Sequence, residues 1–294
     1  KLLDNYHGES HTLAYYDLLA SDWLEPFTHL VYAAMQEVLV GNIPKEAIPI
    51  PVSVSTDLLD ARTRFVRINL HKHLRWAVAN LLGGGSASDW QFERESVVIV
   101  SGRRESLSIR IAQSFSTSKP DVLVTDPYFK CSKLEWVSAL WHWRGWLAWD
   151  NFTYPIRISS QLDFTWRKAQ ATTTLPVTNL AEVVQVLLPL HLPVALLEGF
   201  AEYRKAVLAF SIPRPKAVYS ANALHGHLAW KLQVAEWRQL GTLLLYHQHG
   251  GGYGIERLLS NEEYETRVAD RYYTFGWSSA VSYTHLTLPT TPYV

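Results

Sequence analysis

Six short apolar runs punctuate this chain: VVIVSG at 97–102, VLVTDP at 122–127, PIRIS at 155–159, AVYSANA at 217–223, LLLYHQH at 243–249 and YYTFGW at 272–277. Between several of them lie stretches with helical spacing: RESLSIRIAQSF, LEWVSALWHW, LEGFAEYRKAVLAF and HLAWKLQVAEWRQL. Buried strands that alternate with helices predict an α/β fold, Rossmann-like, with a mostly parallel sheet flanked by helices. Ahead of the sheet, Leu18, Leu19, Trp23, Phe27, Leu30, Val31 and Met35 recur at steps of three and four, the pattern of an amphipathic helix. PIPVSVS at 49–55 reads as a short strand, and the segment 63–82 reads as a helix stopped by Gly83, Gly84 and Gly85. Residues 1–95 are thus expected to form a helix-rich part, and 96–280 the sheet part, of one domain.

Composition narrows the function classes. The chain is 48% hydrophobic and 18% charged, enough apolar material for a sizeable core. Twenty-seven basic residues balance 27 acidic ones, so no net field draws it to nucleic acid, and no nucleic-acid partner is expected. A lone Cys131 predicts no internal disulfide and a reducing, cytoplasmic setting. The longest apolar stretch, Val183–Leu197, is broken by Pro189, His191 and Pro193, and falls short of the roughly 20 residues of a spanning helix. KLLDNYHGES has neither an initiating Met nor the apolar core of a signal peptide, so the beginning is expected to be cut. Residues 281–294 open with VSYTHLTLPT, which reads as one frame of a transposase sequencing adapter; this tail is expected to be non-native and is set aside from the fold.

In open α/β sheets ligands bind beyond the carboxyl ends of the strands. The loops placed there are SGRRE, TDPYF, SANALHGH and HQHGGGYG. In the last, strand alternation puts His247 and His249 on one face and Gln248 on the other. Gly250, Gly251 and Gly252 let the backbone adopt positive φ and leave no side chains in a ligand's way, so backbone N–H groups there are able to hold a phosphate or carbohydrate oxygen. GGGYG has neither the dinucleotide spacing nor a Walker Lys, and a plain tight turn with structural histidines is the competing reading.

The segment PKAVYSANALHGHLAWKLQVAEWRQLGTLLLYHQHGGGYG, followed by EEYETRVADRYYTFGW, resembles the transferases of surface-polysaccharide gene clusters. Their pattern is roughly PK-strand-SNA, a helix, QHGG-x-YG, then E…SDRY-x-TWGW. LPLHLPVALLEGF and YHGESHTLAYYDLLASDWLEPFTHL are also similar, so the likeness runs over most of residues 5–277. Ala269 and Phe275 stand where that pattern has Ser and Trp. The family is similar to two-domain GT-B glycosyltransferases and to the glycerophosphate polymerases of cell walls. The resemblance implies transfer of a sugar or related group from a nucleotide-activated donor, a co-substrate rather than a cofactor, to a surface glycan or lipid-linked acceptor. It also implies that this chain is the N-terminal, acceptor-side half of such an enzyme, its C-terminal half missing, and inactive alone.

Such a transfer needs a base for the acceptor hydroxyl and hydrogen-bond donors for the leaving group. His249 is the expected base, since an imidazole titrates nearest working pH, and His247 is expected to orient it or touch substrate. Asp270, Glu263 and Glu265 are carboxylates able to serve instead, though a helix face explains them equally. Gly250, Gly251, Gly252, Tyr253, Asn222, Glu263 and Arg103 are the expected substrate contacts; for Asn222 a capping role, and for Arg103 a surface ion pair, weighs as much. Three His-x-His pairs, His71/His73, His225/His227 and His247/His249, leave a metal-dependent hydrolase as the rival enzyme, but no third ligand is spaced to complete a set and no metal site is expected. A carbohydrate-binding module without chemistry is the non-enzyme alternative. Five tryptophans between Trp136 and Trp149 belong either to a core helix plus loop or to an interfacial helix in peripheral contact with the inner face of the membrane.

Overall fold

The computed structural model describes residues 1–52, 64–101, 121–126, 146–148, 156–172, 176–210, 212–225, 227–256, 259–277 and 286–287. The chain forms two compact units. The first comprises Lys1–Ser10, Trp23–Val100 and Arg157–Tyr203; the second comprises His11–Asp22, Ser101–Ile156 and Arg204–Val294.

Helices α1 (Leu2–His7), α2 (Leu13–Leu39), α3 (Arg64–Leu82), α4 (Phe164–Gln170), α5 (Leu180–His191) and α6 (Phe200–Leu208) precede α7 (Leu228–Gln239) and α8 (Ser260–Val268). In the first unit, Trp23, Phe27, Val31, Ala34 and Val38 of α2 form a buried stripe that packs with Leu70, Leu74, Ala77, Val78 and Leu81 of α3 and with Val183, Val186, Leu187 and Leu190 of α5. The expected helix at 63–82 is therefore observed, and it ends as expected, with Gly84 at φ 83°. Asn179 caps α5 by accepting from the Glu182 amide at 3.1 Å, and Glu182 returns the contact to the Thr178 amide at 2.6 Å. Arg167, 1% exposed, donates to both oxygens of Glu198 at 2.7 Å and to the carbonyls of Pro189, Leu190 and Leu192. A charge buried that deeply is tolerated because its donors meet acceptors; truncating it costs about 3–5 kcal/mol.

Strands β1 (Ser96–Ser101) and β4 (Ile156–Gln161) pair with each other in a two-stranded sheet. This departs from the expectation that all six apolar runs share one sheet. The larger sheet, in the second unit, has β2 (Val122–Thr125), β3 (Trp146–Ala148), β5 (Ala217–Ser220), β6 (Leu243–His247), β7 (Arg271–Thr274) and β8 (Leu286–Thr287) in the order β3-β2-β5-β6-β7-β8. All its pairings are parallel. A parallel sheet flanked by helices is a mixed α/β architecture compatible with a Rossmann-like fold. β3 replaces the loop expected after the tryptophan-rich helix, and β8 falls within 281–294. Ile50 of the expected PIPVSVS strand makes an isolated parallel bridge to Phe92, while residues 53–55 of that strand lie outside the described residues. The helices expected at 104–115 and 134–143 lie outside them too. No helix among the described residues is long and apolar enough to cross a membrane.

Register fixes which side chains share a face. Leu123, Thr125, Val218, Ser220, Leu244, Tyr246, Tyr272 and Thr274 line one face and are each at most 1% exposed. The opposite face carries Val124, Tyr219, Leu245, His247 and Tyr273, most of them half-buried. The chain steps outward from β2 to β3 on one side and from β5 through β6 to β7 on the other, so the strand order reverses between β2 and β5. Ligands of such sheets gather at the carboxyl ends beside that reversal.

Candidate active site

β6 delivers its chain straight into the glycine loop. The ladder ends at His247, where the Gln248 amide donates to the Tyr273 carbonyl at 2.9 Å. From there Gln248 acts as a clamp: its Nε2 donates to the Gly250 carbonyl at 2.6 Å, and its Oε1 accepts from the Phe275 amide at 3.0 Å and from Trp277 Nε1 at 2.8 Å. One buried amide side chain thus ties the loop after β6 to the turn after β7.

The triplet itself makes no use of the positive φ that glycine permits. The left-handed residue is Gly254, at φ 72°, where a Cβ would also lie 2.7 Å from the Trp277 ring. Glycine is required there twice over, by conformation and by space. Gly252 turns its carbonyl to the amides of Ile255 and Glu256, and the Gly254 amide donates to Glu262 at 2.7 Å. The amides of Gly250, Gly251 and Gly252 have no hydrogen-bond partner among the described residues.

His249 does not share a face with His247. His247 stacks on Tyr219, with centroids 5.5 Å apart, on the Tyr273 side of the sheet. Once free of the strand, His249 turns toward α8, where its Nδ1 lies 3.6 Å from Oε1 of Glu265 and the Tyr253 hydroxyl stands 3.2 Å away. Burial, with a smaller contribution from neighbouring His249, pushes His247 down to about 4, so it is neutral at working pH.

Glu265 is the hub. It is fully buried, yet both oxygens are occupied: Oε1 accepts from Tyr253 at 2.9 Å and pairs with His225 Nε2 at 2.5 Å, and Oε2 accepts from Tyr272 at 2.9 Å. Burial first, and then the charge of Glu265, pushes both tyrosine hydroxyls well above their ordinary range, so they stay protonated donors. His225 sits in the turn after β5, its amide donating to the Asn222 carbonyl at 3.3 Å. Asn222 therefore belongs to the same end of the sheet and shapes the turn that presents His225. Its partner in the His-x-His pair, His227, stands at the N-terminus of α7.

Other expected residues lie elsewhere. Asp270 precedes β7 and so sits at the amino end of the parallel sheet, opposite His249. Its carboxylate accepts from the Leu244 amide and from Arg238, both at 2.7 Å. It borders a cavity of about 210 Å³ that Thr12, Tyr15, Gln239 and Thr242 help to line. Glu263 is exposed on α8, and Arg103 lies outside the described residues. On α3, His71 lies 3.3 Å from Glu37 while His73 is buried and gives its Nδ1 to the Ile48 carbonyl, so that pair diverges as well. Among the described residues no group of three or more His, Cys, Asp or Glu side chains is placed to hold a metal ion.

His225 and Tyr272 were not among the expected site residues. The sequence offered Glu265 as a reserve carboxylate and His225 only as half of a His-x-His pair; their meeting is set by topology. The assembled cluster offers an imidazole at the sheet mouth backed by a buried carboxylate, beside a strip of amides that have no partner among the described residues. It suits removal of a proton from a hydroxyl and binding of an oxygen-rich substrate.

No curated protein and no solved structure matches the chain. The sequence model of one family, described as LIC12162 family transferase, matches residues 1–293, and the chain belongs to that transferase family.

Proposed function

We propose that this transferase is GT-B-like and moves a sugar, or a related group, from a nucleotide-activated donor to a surface glycan or lipid-linked acceptor, with this chain supplying the acceptor side. His249 takes the proton of the acceptor hydroxyl. Tyr253, whose hydroxyl donates to Glu265 and lies 3.2 Å from Nδ1 of His249, couples that imidazole to the buried carboxylate 3.6 Å away and orients it toward the substrate, and the amides of Gly250–Gly252 line the approach. Asn222 shapes the neighbouring turn. The single observation that supports this reading most is the approach of His249 to the buried Glu265 at the carboxyl end of β6. A base oriented by a carboxylate is a recurring way to activate a hydroxyl.

The test is transfer from isotope-labelled nucleotide-sugars to extracted surface glycans, in the enzyme carrying donor and acceptor sides. His249→Ala is expected to lower turnover about 100-fold or more. Near-normal turnover in a folded variant refutes His249 as the base.

A further inference from the structure

The loop after β6 and the turn after β7 form one surface, because Gln248 bonds to both. Three features of that surface bear on what it receives. The carbonyls of Gly250 and Gly252 are tied inward, while the amides of Gly250, Gly251 and Gly252 have no partner among the described residues, so the loop presents three donors in a row. Phe275, half exposed, stands at the end of β7 with its ring 6.4 Å from that of buried His247. The third feature is charge. Glu262 accepts from the Gly254 amide, and the Glu256 carboxylate lies 2.5 Å from where a Cβ on Gly252 would be.

Amide donors alone suit a phosphate or a sugar hydroxyl equally well. Two carboxylates touching the same loop, with Glu265 behind His249, oppose a second concentrated negative charge there and leave neutral oxygens unopposed. An open aromatic ring suits the C–H face of a pyranose and has little to offer a diphosphate. We infer that the Gly250–Gly252 loop and Phe275 form a subsite for an uncharged pyranose of the acceptor, the ring stacked on Phe275 and its hydroxyl oxygens on the loop amides. This rests on the acceptor-side reading above and names the chemistry of what that side holds.

The test is binding, followed by amide NMR on isotope-labelled chain with two kinds of probe: neutral methyl pyranosides of glucose, galactose and N-acetylglucosamine, and inorganic pyrophosphate. The expected result is that at least one pyranoside shifts the amides of Gly250–Gly252 and pyrophosphate does not. Phe275→Ala is expected to weaken that binding about fivefold to tenfold, and Phe275→Trp to preserve it, with unchanged thermal unfolding showing both variants folded. Pyrophosphate shifting these amides, or no pyranoside doing so, overturns the inference, as does undiminished binding by Phe275→Ala. Because His249→Ala keeps the loop and the ring, that variant separates the two claims: pyranoside binding by it together with near-normal turnover refutes the base and spares the subsite, whereas lost turnover with no pyranoside binding in the wild type does the reverse.

Discussion

Tyr272 and Glu265 are seven residues apart in sequence and on different elements, yet the Tyr272 hydroxyl meets Oε2 of Glu265 at 2.9 Å while Tyr253 and His225 share Oε1. Strand β7 and helix α8 are thereby joined through the same carboxylate that backs His249. Removing it leaves two tyrosine hydroxyls and an imidazole without their acceptor. Glu265→Ala is expected to destabilise the chain by about 3 kcal/mol or more, since each stranded buried group costs roughly 1–3 kcal/mol. Glu265→Gln, which keeps an acceptor oxygen, is expected to lose less than half of that. Urea unfolding of both variants checks the order; equal losses contradict a hydrogen-bond hub.

The glycine loop permits a paired comparison. Gly254→Ala meets both a φ of 72° and the Trp277 ring, whereas a Cβ on Gly251 meets nothing within 4 Å. The first is expected to lower stability by about 2 kcal/mol and the second by less than about 0.5 kcal/mol. Thermal denaturation with tryptophan fluorescence distinguishes them, and similar melting temperatures for the two would argue against the loop conformation described.

Acid should weaken the first unit. His73 and His191 are buried with ring centroids 5.0 Å apart, and burial pushes His73 down to about 4 and His191 well down as well. Their folded values lie below the unfolded value near 6.5, so between these limits the unfolded chain binds the extra protons. Stability is therefore full above about pH 6.5 and falls as pH drops toward 4, by about 1.4 kcal/mol per pH unit for each histidine. Unfolding measured across that window, with His73→Phe flattening the slope, is the check.

Asp270 separates structure from chemistry. Its bonds to Leu244 and Arg238 predict that Asp270→Ala costs about 1–3 kcal/mol of stability while leaving turnover of the folded fraction within a few-fold of normal. A collapse of turnover at unchanged stability would restore Asp270 to the catalytic list.

Much of this was written in the sequence, and two of the misreadings had visible signals. VLVT, AVYS and LLLYH are unbroken runs and became neighbouring strands of one sheet. IRISSQ instead alternates, burying Ile156 and Ile158 while exposing Arg157 and Ser159, and it pairs outside that sheet with β1. Its period of two already marked a strand with one wet face. Asp270 stands before its strand and His249 after its own, which in a parallel sheet assigns them to opposite ends. The convergence of His225, Tyr253, Tyr272 and Glu265 had no such signal, because residues 40 positions apart meet only once the crossovers are placed.

The bond from Asp270 to the Leu244 amide also has a reach beyond its own end of the sheet. It fixes how far β7 is slid along β6, aligning Leu245 with Arg271 and His247 with Tyr273. A slip of two residues would keep every side chain on its face and yet carry Phe275 and Trp277 roughly 6–7 Å from the loop that Gln248 holds. The alignment of the carboxyl edge is thus indexed from the opposite edge, as a vernier set at one end of a scale is read at the other.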